Sequence, residues 1–508
     1  MRAFLPLLAL ALVAGCAQPA VSPEQQHADA LANEAAAYDA IEKAIGTPLV
    51  ENHDHSDNAL HQAHYNLDRV ATLNGPAERK PQPGEGYVET AVKNGYAYLC
   101  RTGPEEGLVI FDVHDVEHPK YTGYVRLDAG FEADVEVTDD GHYAFWETQR
   151  LPGMSPPDPN DPTSAPGALP YGIHIVDISD KAHPKWIGFT YVPPNGPHSI
   201  SYAKINGADY LFASVYSWQY VGTSVGTPTL APPMMQREVI YKLDRSLPVA
   251  QLVQVSQYID PAAVEANPVM PRGGLFPHDV SVAVHPFTNK TYAYVAYWDL
   301  GVVILDVSNP ATPTRVGAAT EFGDAPTKEI HMARQSEKTI DGQVILVAEP
   351  EIGGQQTTGY MSVINVTDPT KPVFVSNWKI PGNSSSSGGS LGPHYFDFVD
   401  GRVIMASYHA GFWAFDIHDA ANLKQPRTVA FAMPQSNGGT GLPGPAGGLS
   451  GLTAFDAWWA DPTHVVAGES GNGLTIFRYT GPTPHIDQVW DGVTLGNATV
   501  APTSTGPH

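Results

Sequence analysis

Short apolar segments separated by turn residues recur along most of the chain. GLVIFDVHDVEHPKYTGYVRL begins at Gly107, and LGVVILDVSNPATPTRVGAA begins at Leu300. Each predicts a strand, an Asp or Asn, a Pro-containing turn and a second strand, because Asp bonds its own downstream backbone and Pro fixes the turn. Further copies begin at Tyr171, Gly359 and Gly411, a degenerate copy begins at Arg237, and a first half alone begins at Gly473.

Two more strands joined by a tight turn precede each copy, which makes units of four strands. The turns are Asn94-Gly95, Asp140-Gly141, Asn206-Gly207, Thr288-Asn289, Asp341-Gly342, Asp400-Gly401 and Asp461-Pro462. The seventh unit lacks its last strand, and YNLDRVATLNG (65–75) can supply it, which would join the two ends of the ring. The pattern therefore predicts an all-β fold, a seven-bladed β-propeller over residues 65–480. A β-sandwich is the alternative, but it does not explain the four-strand period.

One helix is predicted before the propeller. Ser22 can cap it, Pro23 suits its first position, and Gln25 completes a capping box. The face predicted to pack consists of Leu31, Ala35, Tyr38, Ile41 and Ile45, and Gly46 can end the helix.

Composition and charge exclude some classes of protein. The 48 Gly and 46 Pro among 508 residues argue against an all-helical fold. The formal net charge of -25 makes nucleic acid an unfavourable partner, because phosphate backbones are repelled. The sequence has no nucleotide, haem or flavin signature.

The first residues, MRAFLPLLALALVAGCAQPA, have one positive charge and a short apolar run, as in a secretory signal peptide. The end of this run, Val13-Ala14-Gly15-Cys16, resembles a bacterial lipobox. The resemblance implies removal of residues 1–15 and a lipid, such as palmitate, on Cys16. It also implies an outer-membrane lipoprotein of a Gram-negative envelope, because Ala17 and not Asp follows the cysteine. Residues 16–64 would then hold the anchor, the helix and a His-containing lead-in, and 481–508 a disordered tail.

The repeat itself resembles the LVIVD-repeat family of bacterial and archaeal cell-surface proteins, with ILDVSNPATPTRVG very near its pattern. This resemblance implies a propeller fold, and most members of the family have no assigned activity. A fainter resemblance, in architecture only, is to the selenium-binding protein and methanethiol oxidase family, whose propellers are linked to copper.

The two faces of the predicted propeller differ. Tight turns within the blades share one face, the turn face. Connections between strands two and three, and between blades, emerge on the other, the long-loop face. Five long segments belong to it: 151–170, 217–237, 260–276, 382–392 and 435–451. Insertions gathered on one face of a repeat protein often mark its binding face.

Four histidines fall at equivalent positions, where the inner strands of blades three to six begin on the long-loop face. They are His198, His278, His331 and His394, here called the histidine cluster. Converging imidazoles can hold copper, zinc or another transition metal. The alternatives are a structural Pro-His motif, whose ring bonds a neighbouring carbonyl, and a metal-free catalytic role. Four carboxylates are expected to orient the imidazoles as further neighbours: Glu132, Asp134, Asp279 and Asp456.

A second group, His53, His55, His61 and His64, precedes the closing strand. Topology is expected to place it on the turn face, as a solvated linker more than a weak metal site. Two functions remain open. One is a lipid-anchored envelope protein that binds an unknown protein or small molecule on its long-loop face, with or without a metal. The other is a periplasmic copper oxidoreductase acting on a small substrate. Propellers host both binding proteins and enzymes.

Overall fold

Six sheets of four antiparallel strands and one sheet of five account for the repeat in the computed structural model of the chain. The structure describes residues 22–45, 60–75, 86–102, 106–127, 134–149, 171–193, 196–216, 236–265, 275–325, 328–351, 360–381, 392–436 and 452–483. Cys16, the signal segment, Glu132, His53, His55, most of the long loops and the tail beyond 483 lie outside these ranges, and the predictions made for them stay predictions.

The first three blades follow the chain directly. Blade 1 contains strands Gly86–Lys93, Tyr96–Thr102, Gly107–Asp112 and Lys120–Arg126. Blade 2 contains Val135–Val137, Tyr143–Thr148, Gly172–Asp177 and Lys185–Tyr191. Blade 3 contains Ser199–Ile205, Ala208–Val215, Arg237–Asp244 and Gln251–Tyr258.

The next three blades repeat this plan. Blade 4 contains Asp279–His285, Lys290–Ala296, Val302–Asp306 and Thr314–Ala319. Blade 5 contains Ile330–Gln335, Ile345–Pro350, Tyr360–Asn365 and Val373–Lys379. Blade 6 contains Phe396–Val399, Arg402–Ser407, Gly411–Asp416 and Arg427–Ala432.

Blade 7 joins the two ends of the propeller. Its strands Ala454–Asp461, His464–Glu469 and Gly473–Tyr479 are completed by Leu67–Leu73, which pairs antiparallel with Gly473–Tyr479. The predicted seven-bladed propeller with an N-terminal closing strand is therefore confirmed. The two ends of the propeller thus meet within blade 7, where strand Gly473–Tyr479 is paired on both sides.

The tight turns set the register within each blade. Asn94, Asn206, Asp341 and Asp400 have φ between +47° and +52°, and each precedes a glycine that also has a positive φ. Such pairs form the hairpin turns whose twist matches that of the flanking strands. The sequence predicted that these turns join strands one and two of each blade, and the structure confirms it.

The N-terminal helix spans Pro23–Ile45, and the Oγ of Ser22 accepts a hydrogen bond from the backbone N–H of Gln25 at 3.2 Å. The helix packs on the outer part of blade 6, where Tyr38 lies over the rings of Trp413 and Phe431 at centroid distances of 5.6 and 5.1 Å.

Among the described side chains, its packed face differs from the prediction at one position. Ala35 is exposed, and Glu34 is buried in its place against Arg427, with 2.6 Å between Oε1 and Nη2. The ion pair allows a carboxylate on a face that hydrophobicity alone assigned to alanine. The shorter helices are Pro261–Glu265 and Ala420–Lys424, a 3-10 turn covers Leu60–Gln62, and strand His64–Tyr65 adds to the outer edge of blade 6.

Candidate metal centre

The four predicted histidines lie where inner strands begin on the long-loop face. Backbone hydrogen bonds fix three of them to the end of the second strand of their own blade. His198 donates to the carbonyl of Ser214, His278 to that of Ala296 and His394 to that of Ala406, at 2.8 to 2.9 Å. His331 lies at a register shift between the first two strands of blade 5. The repeat therefore presents three of the side chains from equivalent backbone sites, and that of His331 from a register shift at the corresponding place in blade 5.

The ring of blades brings the four imidazoles together. Centroids are 4.2 Å apart for His198 and His278, 4.4 Å for His278 and His331, and 4.7 Å for His331 and His394. None of the four residues is more than 7% exposed. Residues almost two hundred positions apart in the chain thus form one buried cluster.

Three of the imidazoles use Nδ1 to contact an acceptor of the protein. Nδ1 of His198 lies 2.8 Å from Oε1 of Gln149, and Nδ1 of His331 lies 2.7 Å from Oε1 of Glu349. In His394 it lies 3.0 Å from the carbonyl oxygen of Phe455. A hydrogen bond donated by Nδ1 fixes the orientation of the ring, and in the neutral rings of His198 and His394 it also fixes the tautomer in which Nε2 carries a lone pair. The His394 contact is also the one that the structural Pro-His alternative predicts.

His278 differs from the other three. Both of its ring nitrogens are buried, and neither has a hydrogen-bond partner among the described residues. Its Nε2 lies 3.7 Å from Oε2 of Glu351, which is beyond hydrogen-bond distance. Buried polar atoms are almost always satisfied, so His278 is exceptional among the four imidazoles of the cluster.

Burial controls the charge of the cluster. It lowers the pKa of His198 to about 3, and burial together with neighbouring imidazoles lowers the pKa values of His278 and His394. Burial also acts to lower the pKa of His331, but the Glu349 carboxylate outweighs it and raises that pKa to about 9. At neutral pH three imidazoles are therefore uncharged, the form that binds metals.

The three described carboxylates that were expected to orient the imidazoles lie near the starts of inner strands and bond elsewhere. Oδ2 of Asp134 accepts from the N–H of Ile200, and Oδ2 of Asp456 accepts from the N–H of Thr90, both at 2.9 Å. Oδ1 of Asp279 accepts from Oγ of Ser199 at 2.8 Å. Asp134, Asp279 and Asp456 thus join neighbouring blades or their own strand, because the start of an inner strand leaves backbone N–H groups that need acceptors.

Three side chains that lie beside the imidazoles were missed in the sequence. Gln149, Glu349 and Glu351 all lie at the end of a second strand, in blades two and five. Second strands run toward the long-loop face, so their last residues border the entries of the inner strands. Comparing the last residues of the second strands, in the way that the first residues of the inner strands were compared, would have found these positions.

Aromatic rings surround the cluster. The indole of Trp298 stacks on His278 at 4.9 Å and on Phe276 at 5.3 Å. Tyr216 lies 4.8 Å from His198, and Tyr408 lies 5.1 Å from His394. Trp298 and Tyr408 have φ of +35° and +30°, a strained conformation for residues other than glycine. Such strain concentrates at functional sites.

For His61 and His64, the described members of the second histidine group, the predicted face is wrong. Nδ1 of His61 lies 2.6 Å from the carbonyl oxygen of Pro434, just beyond the outer strand of blade 6 on the long-loop side. The chain first runs along that outer strand as His64–Tyr65, so it reaches the turn face only at Leu67. His61 is buried and His64 is exposed, with its Nε2 3.4 Å from Oδ1 of Asp68.

The repeat model for LVIVD matches residues 171–190, the outer half of blade 2, and 289–320, which cover strands two to four of blade 4. The chain carries LVIVD repeats. Both matches include the pair of outer strands with its Asp-containing turn, which is the repeat that the sequence pattern predicted. No curated protein matches the chain.

Among solved structures, a crystal structure of the Cps50 (Swd1) β-propeller domain of Myceliophteria thermophila aligns over 82% of this chain and 100% of its own, with 10% identity and a TM-score of 0.47. Within the described residues, no helix is both long and apolar enough to cross a bilayer.

Proposed function

We propose that this LVIVD propeller is a metal-binding protein whose centre is the histidine cluster at the long-loop mouth of the channel. The observation that carries the proposal is His278, a buried imidazole between the rings of His198 and His331 whose two nitrogens have no hydrogen-bond partner in the described part of the chain. A bound cation would satisfy His278, and the Nδ1 contacts of the other three rings hold them as metal-ligating histidines are commonly held.

The donors favour a divalent transition metal. Imidazole suits zinc, copper, iron and nickel alike, so the histidines alone do not choose among them. Cys100, the cysteine among the described residues, is buried within the sheets of blades one and two and supplies no soft ligand to the cluster.

The long-loop face is the proposed binding face. Tyr216, Phe276 and Glu351 flank the cluster and also border the segments 217–235, 266–274 and 352–359. A ligand or partner recognised by these loops would therefore meet the metal centre. The lipid anchor at Cys16 belongs to the same proposal and would tether the propeller to the cell envelope. Replacing Cys16 by Ser should release the protein from the membrane fraction.

Metal analysis tests the centre. Purified protein, stripped with chelator, is incubated with Zn²⁺, Cu²⁺ or Fe²⁺, desalted and assayed for bound metal. We expect about one metal per chain for at least one of these ions, and loss of it in His278→Gln.

His285→Gln is the matched control, because His285 ends the same strand on the turn face and is also buried, with its Nε2 3.0 Å from the carbonyl oxygen of Val366. Less than about 0.2 metal per chain with all three ions would overturn the proposal.

A metal-dependent oxidoreductase is the second candidate. It is favoured by the half-buried indole of Trp298 against His278, which gives a small substrate an apolar surface beside the centre. If the protein retains copper or iron that cycles between two oxidation states, this candidate stands. If it retains zinc alone, the centre has no redox chemistry and the candidate fails.

A further inference from the structure

Among the described residues, Glu351 has the carboxylate nearest the imidazole of His278. It follows the second strand of blade 5, and its backbone N–H donates to the carbonyl of Glu329 at 3.2 Å. Its side chain is 19% exposed, whereas that of His278 is 2% exposed. Glu351 therefore lies at the solvent side of the centre.

The spacing of three side chains fits one ion. One ligand atom from each of His278, His331 and Glu351 can be chosen so that all lie within 4.8 Å of one another. Ligands about 2.0 to 2.2 Å from a tetrahedral ion are separated by roughly 3.4 Å. The 3.7 Å between Nε2 of His278 and Oε2 of Glu351 is close to that separation and too long for a hydrogen bond.

Tyr408 fixes the other oxygen of this carboxylate. Its hydroxyl donates to Oε1 of Glu351 at 2.6 Å, from blade 6 to blade 5. The residue is fully buried, and its carbonyl accepts from the N–H of Ala454 at 2.9 Å, which ties it to blade 7. Its φ of +30° is maintained by these contacts. One oxygen of Glu351 is thus fixed, which leaves Oε2 toward His278.

We infer that Glu351 is a ligand of the metal and that Tyr408 is the positioning residue that orients it. The inference rests on the proposed metal centre and goes beyond it, because it makes the donor set a mixed one of nitrogen and oxygen. Carboxylate oxygen suits divalent cations, and the soft ion Cu⁺ prefers sulfur. The centre should therefore lose affinity for a divalent ion, and not for Cu⁺, when this oxygen is removed.

Titration with Co²⁺ and with Cu⁺ tests the inference. Dissociation constants come from competition with a chromophoric chelator, and the visible absorption of bound Co²⁺ reports the ligand field. Glu351→Gln and Tyr408→Phe should each raise the dissociation constant for Co²⁺ by about 10- to 100-fold and change the spectrum. The constant for Cu⁺ should change less than about threefold.

Tyr258→Phe is the control, since Tyr258 donates to a carboxylate of Asp260 at 2.8 Å on the outer strand of blade 3, away from the centre. Circular dichroism confirms folding of each variant. If the wild-type protein binds none of the ions, the metal centre itself is wrong. If it binds Co²⁺ and both variants keep its affinity and spectrum, the roles of Glu351 and Tyr408 are overturned while the imidazole centre stands.

Discussion

Nδ1 of His331 lies 2.7 Å from Oε1 of Glu349, and both side chains are withdrawn from solvent. The carboxylate, against the effect of burial, keeps the pKa of His331 near 9, whereas burial lowers the pKa values of the neighbouring imidazoles. The pKa of His331 is therefore shifted in the opposite direction to the pKa values of the other three histidines, although all four occupy equivalent positions in the sequence repeat.

The first prediction concerns this pair. Glu349→Gln keeps an acceptor near Nδ1 and removes the charge, so the pKa of His331 should fall below 6.5, as it does in the other three. Nuclear magnetic resonance of the imidazole nitrogens in metal-free protein measures it. Glu349→Ala removes the acceptor as well and should cost about 3 to 5 kcal/mol of unfolding free energy. A pKa of His331 that is unchanged in Glu349→Gln would show that another group holds the proton.

The second prediction separates a structural role of Asp456 from a role at the centre. Its Oδ2 accepts from the N–H of Thr90 in blade 1, so Asp456→Ala leaves a buried donor unsatisfied and should cost about 1 to 3 kcal/mol. Asp456→Asn retains an acceptor and should cost less. Zn²⁺ affinity should be the same in both variants and the wild type, measured beside urea unfolding. A tenfold loss of affinity would restore the sequence-based expectation that Asp456 orients an imidazole.

The third prediction is a dependence of stability on pH. Glu238 is buried beside Ser214, and burial raises its pKa from about 4.5 to about 8. Between these values the folded protein keeps a proton that the unfolded chain releases, so this group makes stability fall as pH rises from about 4.5 to about 8. The slope approaches about 1.4 kcal/mol per pH unit for one proton.

Glu238→Gln removes this titration. Urea unfolding at several pH values should therefore show the free energy of unfolding of the variant rising relative to that of the wild type through that window, because groups that do not interact with Glu238 titrate equally in both. Parallel pH profiles for the two proteins would contradict the raised pKa of Glu238.

The fold and the cluster were accessible in the sequence because both arise from repetition. The turns at Asn94 and Asp400 fixed the strand pairs, and the equivalence of His198 and His394 followed from the same alignment of blades. Contacts that are not repeated from blade to blade could not be predicted from the sequence. Glu351 meets His278 only because neighbouring blades curve around an axis, and the position of His61 depends on an added strand at the edge of blade 6. Neither relation has a local pattern.

The last prediction concerns the junction at which the ring is joined. Arg69 on the closing strand contacts both oxygens of Glu469 on the second strand of blade 7, with 2.8 Å between Nη2 and Oε1. The side chain of Glu469 is fully buried and that of Arg69 is 17% exposed. Arg69→Ala leaves a buried carboxylate without its cation, so it should cost about 3 to 5 kcal/mol in urea unfolding.

Arg478→Ala is its control, because Arg478 pairs with Glu117 at the surface, where a pair contributes at most about 1 kcal/mol. The double variant Arg69→Met, Glu469→Leu should recover much of the lost stability, since an apolar pair of similar size has no buried charge to satisfy. Hydrogen exchange in Leu67–Leu73 should rise in Arg69→Ala before that of the other blades, because the closing strand comes from the far end of the chain. An Arg69→Ala variant as stable as Arg478→Ala would mean that backbone pairing alone holds the ring together.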